Sequence, residues 1–523
     1  MKARSIMVLG TSSHVGKSLL TAALCRIFAD QGIRVAPFKS QNMSLNSAAT
    51  VEGLEIGRAQ ALQAEAARVP ASVHMNPILL KPAGNMTSQV IVRGKVWRSL
   101  SAFEYHRRRV EELMPVIRES YEILASQNDV IVLEGAGSPA EINLKENDIV
   151  NMRMAEMADA SCILVGDIDR GGVFASLLGT VQLLDPSEQA RIRGFVINKF
   201  RGDIALLQPG IRMIEDRLQR RCLGVVPFLH QLTLDEEDSL GLPAGDVSKL
   251  RPWIAGDEKD RPLRIAVVAL PSFSNFTDFD ALRNEPSVDL RFSRNSSEIA
   301  NADVVVLPGS KQTVDDLLWL RQHGLDAVVS SQAALGLVVG ICGGFQMLGQ
   351  RILDPHGIEH EDEAEGLGLL PFVTRMNPDK VTRQASGYLA VTSLFGEAIP
   401  SMSLQGYEIH LGETFYAAGA QTFSVLHNGQ PDGCISPDKR IFGTYLHGIF
   451  DDDGFRHTFI TAARAFHALT PALEFQDWKR QREEALDRLA DAVRMSLDLP
   501  RIFDWVGLTY QPRVESVVME HAH

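Results

Sequence analysis

The chain has 523 residues, 45% of them hydrophobic and 22% charged, which is enough material for more than one buried core in a globular enzyme. Its formal charge of -13 works against a phosphate backbone, so nucleic acid is not an expected partner. No CxxC pair occurs among Cys25, Cys162, Cys222, Cys342 and Cys434, which argues against a disulfide framework or zinc site and for a reducing, cytoplasmic setting.

In chain order, the apolar stretch within Met1–Gly10 is too short for a signal peptide, and no apolar run long enough to cross a membrane follows it. Ser5–Gly10 reads as a buried strand. Lys17–Asp30 reads as a helix, with Leu20, Ala23, Leu24 and Ile27 at helical spacing. Ile33–Phe38, Val130–Glu134, Cys162–Asp167, Gly194–Asn198 and Leu223–Val226 continue as strands. Apolar strands separated by helices predict a mostly parallel sheet covered on both faces.

Between the first strand and helix stands Gly10-Thr11-Ser-Ser-His-Val-Gly16-Lys17-Ser18. Its glycines let backbone N–H groups turn inward onto phosphate oxygens, and the helix N-terminus adds partial positive charge. Lys17 is placed to reach the β and γ phosphates of ATP and Ser18 to ligate Mg²⁺. Glu134, at the C-terminal edge of its strand, faces the ligand crevice of such a sheet and is a second metal candidate. Asp167 and Asp169 are weaker ones, and Lys39 is placed to offset phosphate charge.

Around Asp235–Arg261 the pattern dissolves into Gly, Pro and charge, which marks a domain boundary. A second strand-and-helix series runs through Arg264–Leu270, Val304–Leu307, Leu337–Ile341 and Phe442–Leu446. Gly340-Ile-Cys342-Gly343-Gly344-Phe-Gln346 has the form of a nucleophile elbow: small neighbours permit a strained strand-to-helix turn that exposes the sulfur. The helix N-terminus there favours thiolate. The N–H groups of Gly343 and Gly309 are placed to hold an oxyanion. His447, in Thr444-Tyr-Leu-His447-Gly448, ends a strand and can take the thiol proton, then return it to leaving ammonia. His410 and His427 are rivals that do not so clearly end a strand. From about Thr458 to Leu508 the chain reads as helical, with a charged stretch at Lys479–Glu484, and is expected to cap the second domain.

The phosphate loop, one residue longer than the strict pattern, resembles that of dethiobiotin synthetase, and it lacks the early lysine of the partitioning ATPases. Asn198-Lys199 resembles the base-reading pair of nucleotide-binding relatives, which places Asn198 with Gly10, Thr11, Gly16, Lys17 and Ser18 in ATP binding. Cys342 with His447 resembles the class I glutamine amidotransferases, but the acid expected two positions after the histidine is Ile449 here. That leaves Glu408 and Asp451 as candidate orienters.

The combination is similar to the cobyrinic and cobyric acid synthase family. Lys39-Ser-Gln-Asn-Met-Ser-Leu-Asn46, Gly57-Arg-Ala-Gln60, Met75–Pro82, Leu133–Leu144, Asp167–Phe174 and Gly406–His410 carry the likeness across nearly the whole chain. The resemblance implies an α/β fold: a P-loop, mostly parallel sheet domain at 1–235, a linker at 236–261, a class I glutaminase-like α/β domain at 262–455 and a helical C-terminal region at 456–523. It also implies ATP- and glutamine-dependent amidation of the b, d, e and g carboxylates of adenosylcobyrinic acid a,c-diamide, with ATP, Mg²⁺ and L-glutamine as the small molecules used. Lys39, Arg58, Gln60 and Asn76 are corrinoid contacts on this resemblance alone. The alternatives are the sibling activity on the a and c carboxylates, and a regulatory P-loop ATPase with a non-catalytic glutaminase-like domain. A homo-oligomer is compatible with the sequence, which does not fix the oligomeric state.

Overall fold

The structure, a computed structural model, describes residues 3–83, 87–101, 103–105, 109–229, 232, 234, 253, 259–360 and 363–512. Most of the expected linker at 236–261 lies outside the described residues.

The first sheet has six strands, all parallel. They are β1 (Arg4–Gly10), β2 (Val35–Phe38), β3 (Val130–Glu134), β4 (Ser161–Asp167), β5 (Ile192–Phe200) and β6 (Arg221–Pro227), in the order β6-β5-β4-β1-β3-β2. Helices cover both faces, so Ile6–Leu9 and Val130–Leu133 are buried without alternation. Parallel register brings Gly10, Glu134, Asp167 and Asn198 to one C-terminal edge, where Val8 pairs with Glu134 and Asp167 with Asn198. Helix α1 (Lys17–Asp30) spans the predicted residues and buries Leu20, Leu24, Ile27 and Phe28. Between β2 and β3, a four-stranded sheet of Gln41–Met43, Ile78–Ala83, Thr87–Val92 and Lys95–Ser101 interrupts the alternation. Helix α2 (Arg58–Ala66) lies between its strands in sequence.

The second sheet has eleven strands. Its parallel part holds Val288–Ser293, β7 (Leu263–Val268), β8 (Val304–Leu307), β9 (Leu337–Ile341) and β10 (Ile441–Thr444), side by side in that order. Antiparallel strands, among them the long Phe372–Leu389 and Ser403–Tyr416, extend it beyond β10. Trp253 docks on this domain, donating its Nε1–H to Asp289 Oδ2 at 2.8 Å.

The helical tail departs from expectation. Helix α3 (Asp453–Phe466) does join the second core, through Phe455, Phe459 and Ile460. Helices α4 (Trp478–Ser496) and α5 (Leu499–Asp504) instead pack on the first domain. Leu486, Leu489, Val493 and Phe503 share a core with Leu20, Leu24 and Phe28 of α1, and the Phe28 and Phe503 rings stack at 4.5 Å. The charged stretch is also partly interfacial. Glu483 pairs with the buried Arg26 at 2.7 Å, and Arg482 pairs with Glu65 at 2.7 Å. The apolar stripe of α4 seals α1, which would otherwise expose its outer face to water.

Candidate functional site

Two sites stand on this framework. At the first, the loop from Gly10 to Lys17 turns through Gly16, whose φ of 95° is left-handed. A Cβ at Gly16 would lie 2.2 Å from Asn198 Nδ2, so only glycine fits. Asn198 donates that amide to Val15 O at 2.8 Å, and Thr11 N–H donates to Val165 O at 2.9 Å. Asn198 therefore braces the loop from β5. Lys17 is buried, and its ammonium donates to Ser12 O at 3.0 Å and Gly137 O at 3.2 Å, inside the turn where phosphate oxygens would sit.

Glu134 is the hub. Its Oε1 accepts from Ser18 Oγ at 2.8 Å and from the Lys39 ammonium at 3.0 Å, and its Oε2 accepts from Gln63 Nε2 at 2.6 Å. The predicted metal candidates Ser18 and Glu134 are thus in contact. Two oxygen donors beside a phosphate loop form a set that suits Mg²⁺, which keeps waters and phosphate oxygens as its other ligands. Asp167 and Asp169 are occupied elsewhere, by Lys199 at 3.2 Å and Arg201 at 3.0 Å.

Cavities open on both sides of the loop. One of about 390 Å³ is lined by Lys17, Lys39, Gln41, Asn42, Gly137 and Lys145, among others. Another of about 330 Å³ is largely apolar and lies between Gly16, Asn198, Val226, Phe228, Leu229 and Leu489. Its walls suit an aromatic base, and Leu489 comes from the tail helix α4. Of the residues placed at the substrate by resemblance, only Lys39 lines the larger cavity. Gln60 and Asn76 are buried and bonded within the protein: Gln60 Oε1 accepts from Asn42 Nδ2 at 3.0 Å, and Asn76 Nδ2 donates to Lys39 O at 3.1 Å. They shape the Lys39–Asn46 segment. Arg58 lies 4.0 Å from Asp451 of the other domain.

At the second site, Cys342 holds φ 50° and ψ −109° between β9 and a short helix, Gly343–Leu348. This is the elbow the sequence predicts, and a Cβ at Gly344 would lie 1.9 Å from Leu307 O. Cys342 N–H donates to Thr444 O at 2.9 Å, which ties the candidate nucleophile to the strand that delivers His447. Of the two glycines expected at the oxyanion, Gly343 directly follows Cys342 and Gly309 lies beside His447. A Cβ on Gly309 would come within 3.1 Å of His447 Cε1, and one on Gly343 within 2.9 Å of Ser310 N.

The acid that reaches His447 is Asp278. Its Oδ2 lies 2.6 Å from His447 Nδ1, and its Oδ1 accepts the Gly448 N–H at 3.0 Å. Burial by itself lowers the His447 pKa, but the negative charges of Asp278 and the Cys342 sulfur outweigh it and carry the pKa up to about 10. The arrangement places the buried His447 ring between a carboxylate and the Cys342 sulfur, the candidate nucleophile. The other proposed orienters do not take this role. Glu408 is bonded to Arg383, and Asp451 follows His447 in the chain while Asp278 occupies Nδ1. His410 stacks on Tyr445 at 3.9 Å, and the exposed His427 bonds Ser386. Asp278 sits in a short 3-10 helix, Phe276–Phe279, past the C-terminal edge of β7, and that position in Pro271–Asp280 is the one sequence signal for it.

The sites meet through residues 46–49. Asn275, which lines the Cys342 cavity, accepts Ser47 N–H at 3.0 Å, and Asn46 Oδ1 accepts Phe276 N–H at 3.2 Å. Ala49 packs against Tyr407 and Ile409, and the Tyr407 ring stacks on His447 at 5.3 Å.

Residues 6–240 match the family described as the CobQ/CobB/MinD/ParA nucleotide binding domain, and residues 264–455 match the CobB/CobQ-like glutamine amidotransferase domain. Over 516 residues the chain is 47% identical to a cobyric acid synthase of Caldanaerobacter subterraneus subsp. tengcongensis, covering 96% of this chain and 98% of the relative. It is 48% identical over 512 residues to one of Thermoanaerobacter sp., covering 96% of this chain and 98% of the relative. It is 50% identical over 526 aligned positions to one of Sorangium cellulosum, covering 97% and 99%.

Proposed function

The chain belongs to the cobyric acid synthase family, and from that premise we propose that it amidates the b, d, e and g side-chain carboxylates of adenosylcobyrinic acid a,c-diamide. It is a glutamine-hydrolysing, ATP-dependent amide ligase of cobalamin biosynthesis. The observation that carries the finer reading is a phosphate loop and a Cys–His–Asp constellation on one chain, joined through the 46–49 segment.

In this reading residues 1–235 form the synthetase domain, 236–261 the linker, 262–455 the glutaminase, and 456–523 a helical region that closes largely onto the synthetase. The triphosphate lies on the loop at Gly10, Thr11 and Gly16, with Lys17 countering its charge and the base in the apolar cavity beside Asn198. Ser18 and Glu134 would hold Mg²⁺, which would supply charge stabilisation to the transferring phosphoryl. A carboxylate is a poor electrophile, and its phosphorylation supplies a leaving group. Lys39 steadies that exchange at the wall of the larger cavity.

At the second site the Cys342 sulfur attacks the side-chain amide of glutamine. Gly343 and Gly309 N–H groups hold the oxyanion, and His447 protonates the departing ammonia. Water then releases glutamate. Ammonia passes toward the acyl phosphate along the domain interface, which raises its effective concentration where free ammonia is scarce. Free competition by external ammonium during glutamine turnover would contradict that shielded passage. The deciding experiment incubates adenosylcobyrinic acid a,c-diamide with enzyme, ATP, Mg²⁺ and glutamine and follows the product by mass. Four successive amidations are expected. Turnover of cobyrinic acid in place of its a,c-diamide would instead point to the sibling activity.

A further inference from the structure

The cavity around Cys342 carries charges that hydrolysis of an amide does not use. Lys311 directly follows the Gly309–Ser310 loop, and its backbone is fixed by an N–H bond to Ser272 O at 2.9 Å. Its side chain lines the cavity with Cys342, His447 and Glu359. Among the described residues, no carboxylate lies within 4.0 Å of its ammonium. The other two lysines of the cavity, Lys81 and Lys380, both pair with the buried Glu55, each at 2.5 Å.

Glu359 reaches the same cavity. Its backbone N–H is held by Asp354 Oδ2 at 2.8 Å, and its own Oε2 accepts the Thr313 N–H at 2.8 Å. Burial disfavours both ionised side chains, lowering the pKa of Lys311 and raising that of Glu359, and in each case the attraction of the other's charge is what opposes burial most strongly. Yet they do not close an ion pair. A half-buried ammonium and a half-buried carboxylate that attract one another across a gap, beside a nucleophile, match the two ends of an α-amino acid. Insertion of a zwitterion gives each its missing counter-charge, a gain unavailable to a simple amide.

On the reading of Cys342 as the glutaminase nucleophile, we propose that Lys311 holds the α-carboxylate and Glu359 the α-ammonium of L-glutamine. The pair thereby sets the side-chain amide over the sulfur and makes the site selective for an amino acid. The cavity is about 40 Å³, room for roughly one water, so lining side chains must shift as glutamine enters. Lys311 can do so without breaking an ion pair, unlike Lys81 and Lys380.

The test compares two reagents that alkylate the same sulfur. 6-Diazo-5-oxo-L-norleucine carries both α groups of glutamine and loses N₂ on alkylation; iodoacetamide carries neither. In the full-length enzyme, Lys311→Met should slow inactivation by the diazo ketone about 10- to 100-fold, the loss of one charge-assisted contact. Glu359→Gln should act in the same direction. Iodoacetamide should label either variant at close to the wild-type rate, and Lys311→Arg should recover most of the diazo ketone rate. An equal slowing with both reagents would mean that these residues act on the sulfur or on the fold, and would overturn the proposal, as would no slowing with either. Peptide mapping keeps the parent reading separate: diazo ketone label away from Cys342 in the wild-type enzyme would overturn the nucleophile assignment itself.

Discussion

Asp278 Oδ2 lies 2.6 Å from His447 Nδ1, although the two residues are 169 positions apart in sequence. The same carboxylate accepts the Gly448 N–H, so it fixes both the imidazole and the backbone that carries it. An acid reaching Nδ1 orients the ring and leaves Nε2 toward the nucleophile, the division of labour of a hydrolytic triad. Asp278→Asn keeps the shape but loses the charge and favours the wrong tautomer. Glutamine hydrolysis should then fall about 10²- to 10⁴-fold in kcat, with ammonium-dependent amidation retained. A steady-state glutaminase assay beside an ammonium-driven amidation assay checks this, and near-normal hydrolysis would remove Asp278 from the triad.

The same pair sets a pH dependence. His447 has its pKa raised from 6.5 to about 10 in the folded enzyme, since Asp278 and the Cys342 sulfur outweigh the effect of burial. A raised basic group contributes stability that is fully present below its unfolded pKa and is lost as pH rises through the folded one. On the proposed mechanism, the proton that His447 gives to ammonia is in place across the neutral range. Glutaminase kcat/KM should hold its value well above pH 7 and decline toward pH 10, and Asp278→Asn should move that decline to lower pH. A decline centred near 7 in the wild-type enzyme would contradict the ion-paired imidazolium.

The proposed roles of Cys342 and Lys17 belong to different steps, so their loss should divide the reaction. Cys342→Ala should abolish glutamine-dependent amidation and spare the ammonium-dependent route, because the carboxylate is still activated at the other site. Lys17→Ala should suppress both, by about 10²-fold or more, since it removes a buried cation from the phosphate loop. Amidation assayed with each nitrogen source separates the outcomes. Glutamine use by Cys342→Ala, or ammonium-driven amidation at the normal rate by Lys17→Ala, would each sink the corresponding assignment.

The sequence carries what is local. Gly16-Lys17-Ser18 and Gly340-Ile-Cys342-Gly343-Gly344 are set by backbone geometry over a few residues, and β3, β8, β9 and α1 span the predicted residues because buried parallel strands and an amphipathic helix leave a clear pattern. Long-range pairing is not legible there. Asp278 is one of many acids until β7 and β10 lie in the same sheet. Asn198 lines the cavity proposed for the base, and its amide also braces Val15 of the loop, a contact spanning 183 positions that the sequence does not show. Gln60 and Asn76 carry family resemblance yet face inward, because a motif does not say whether an amide serves the ligand or the loop around it.

The tail shows the same limit and gives the last prediction. Charges at Lys479–Glu484 suggest a solvated surface, but Arg482 and Glu483 point at Glu65 and Arg26 of the first domain. Beneath them, Phe503 is fully buried and stacks on Phe28 of the helix that begins at the phosphate loop. Phe503→Ala should cost about 3–5 kcal/mol of local stability, the usual penalty for emptying an aromatic core site. If the tail belongs to the synthetase core, that loss falls there first. Upon heating, ammonium-driven amidation by the variant should fail at a temperature where glutamine hydrolysis persists. Had the tail capped the glutaminase, hydrolysis would fail first, and that order of loss would overturn the assignment of α4 and α5 to the first domain.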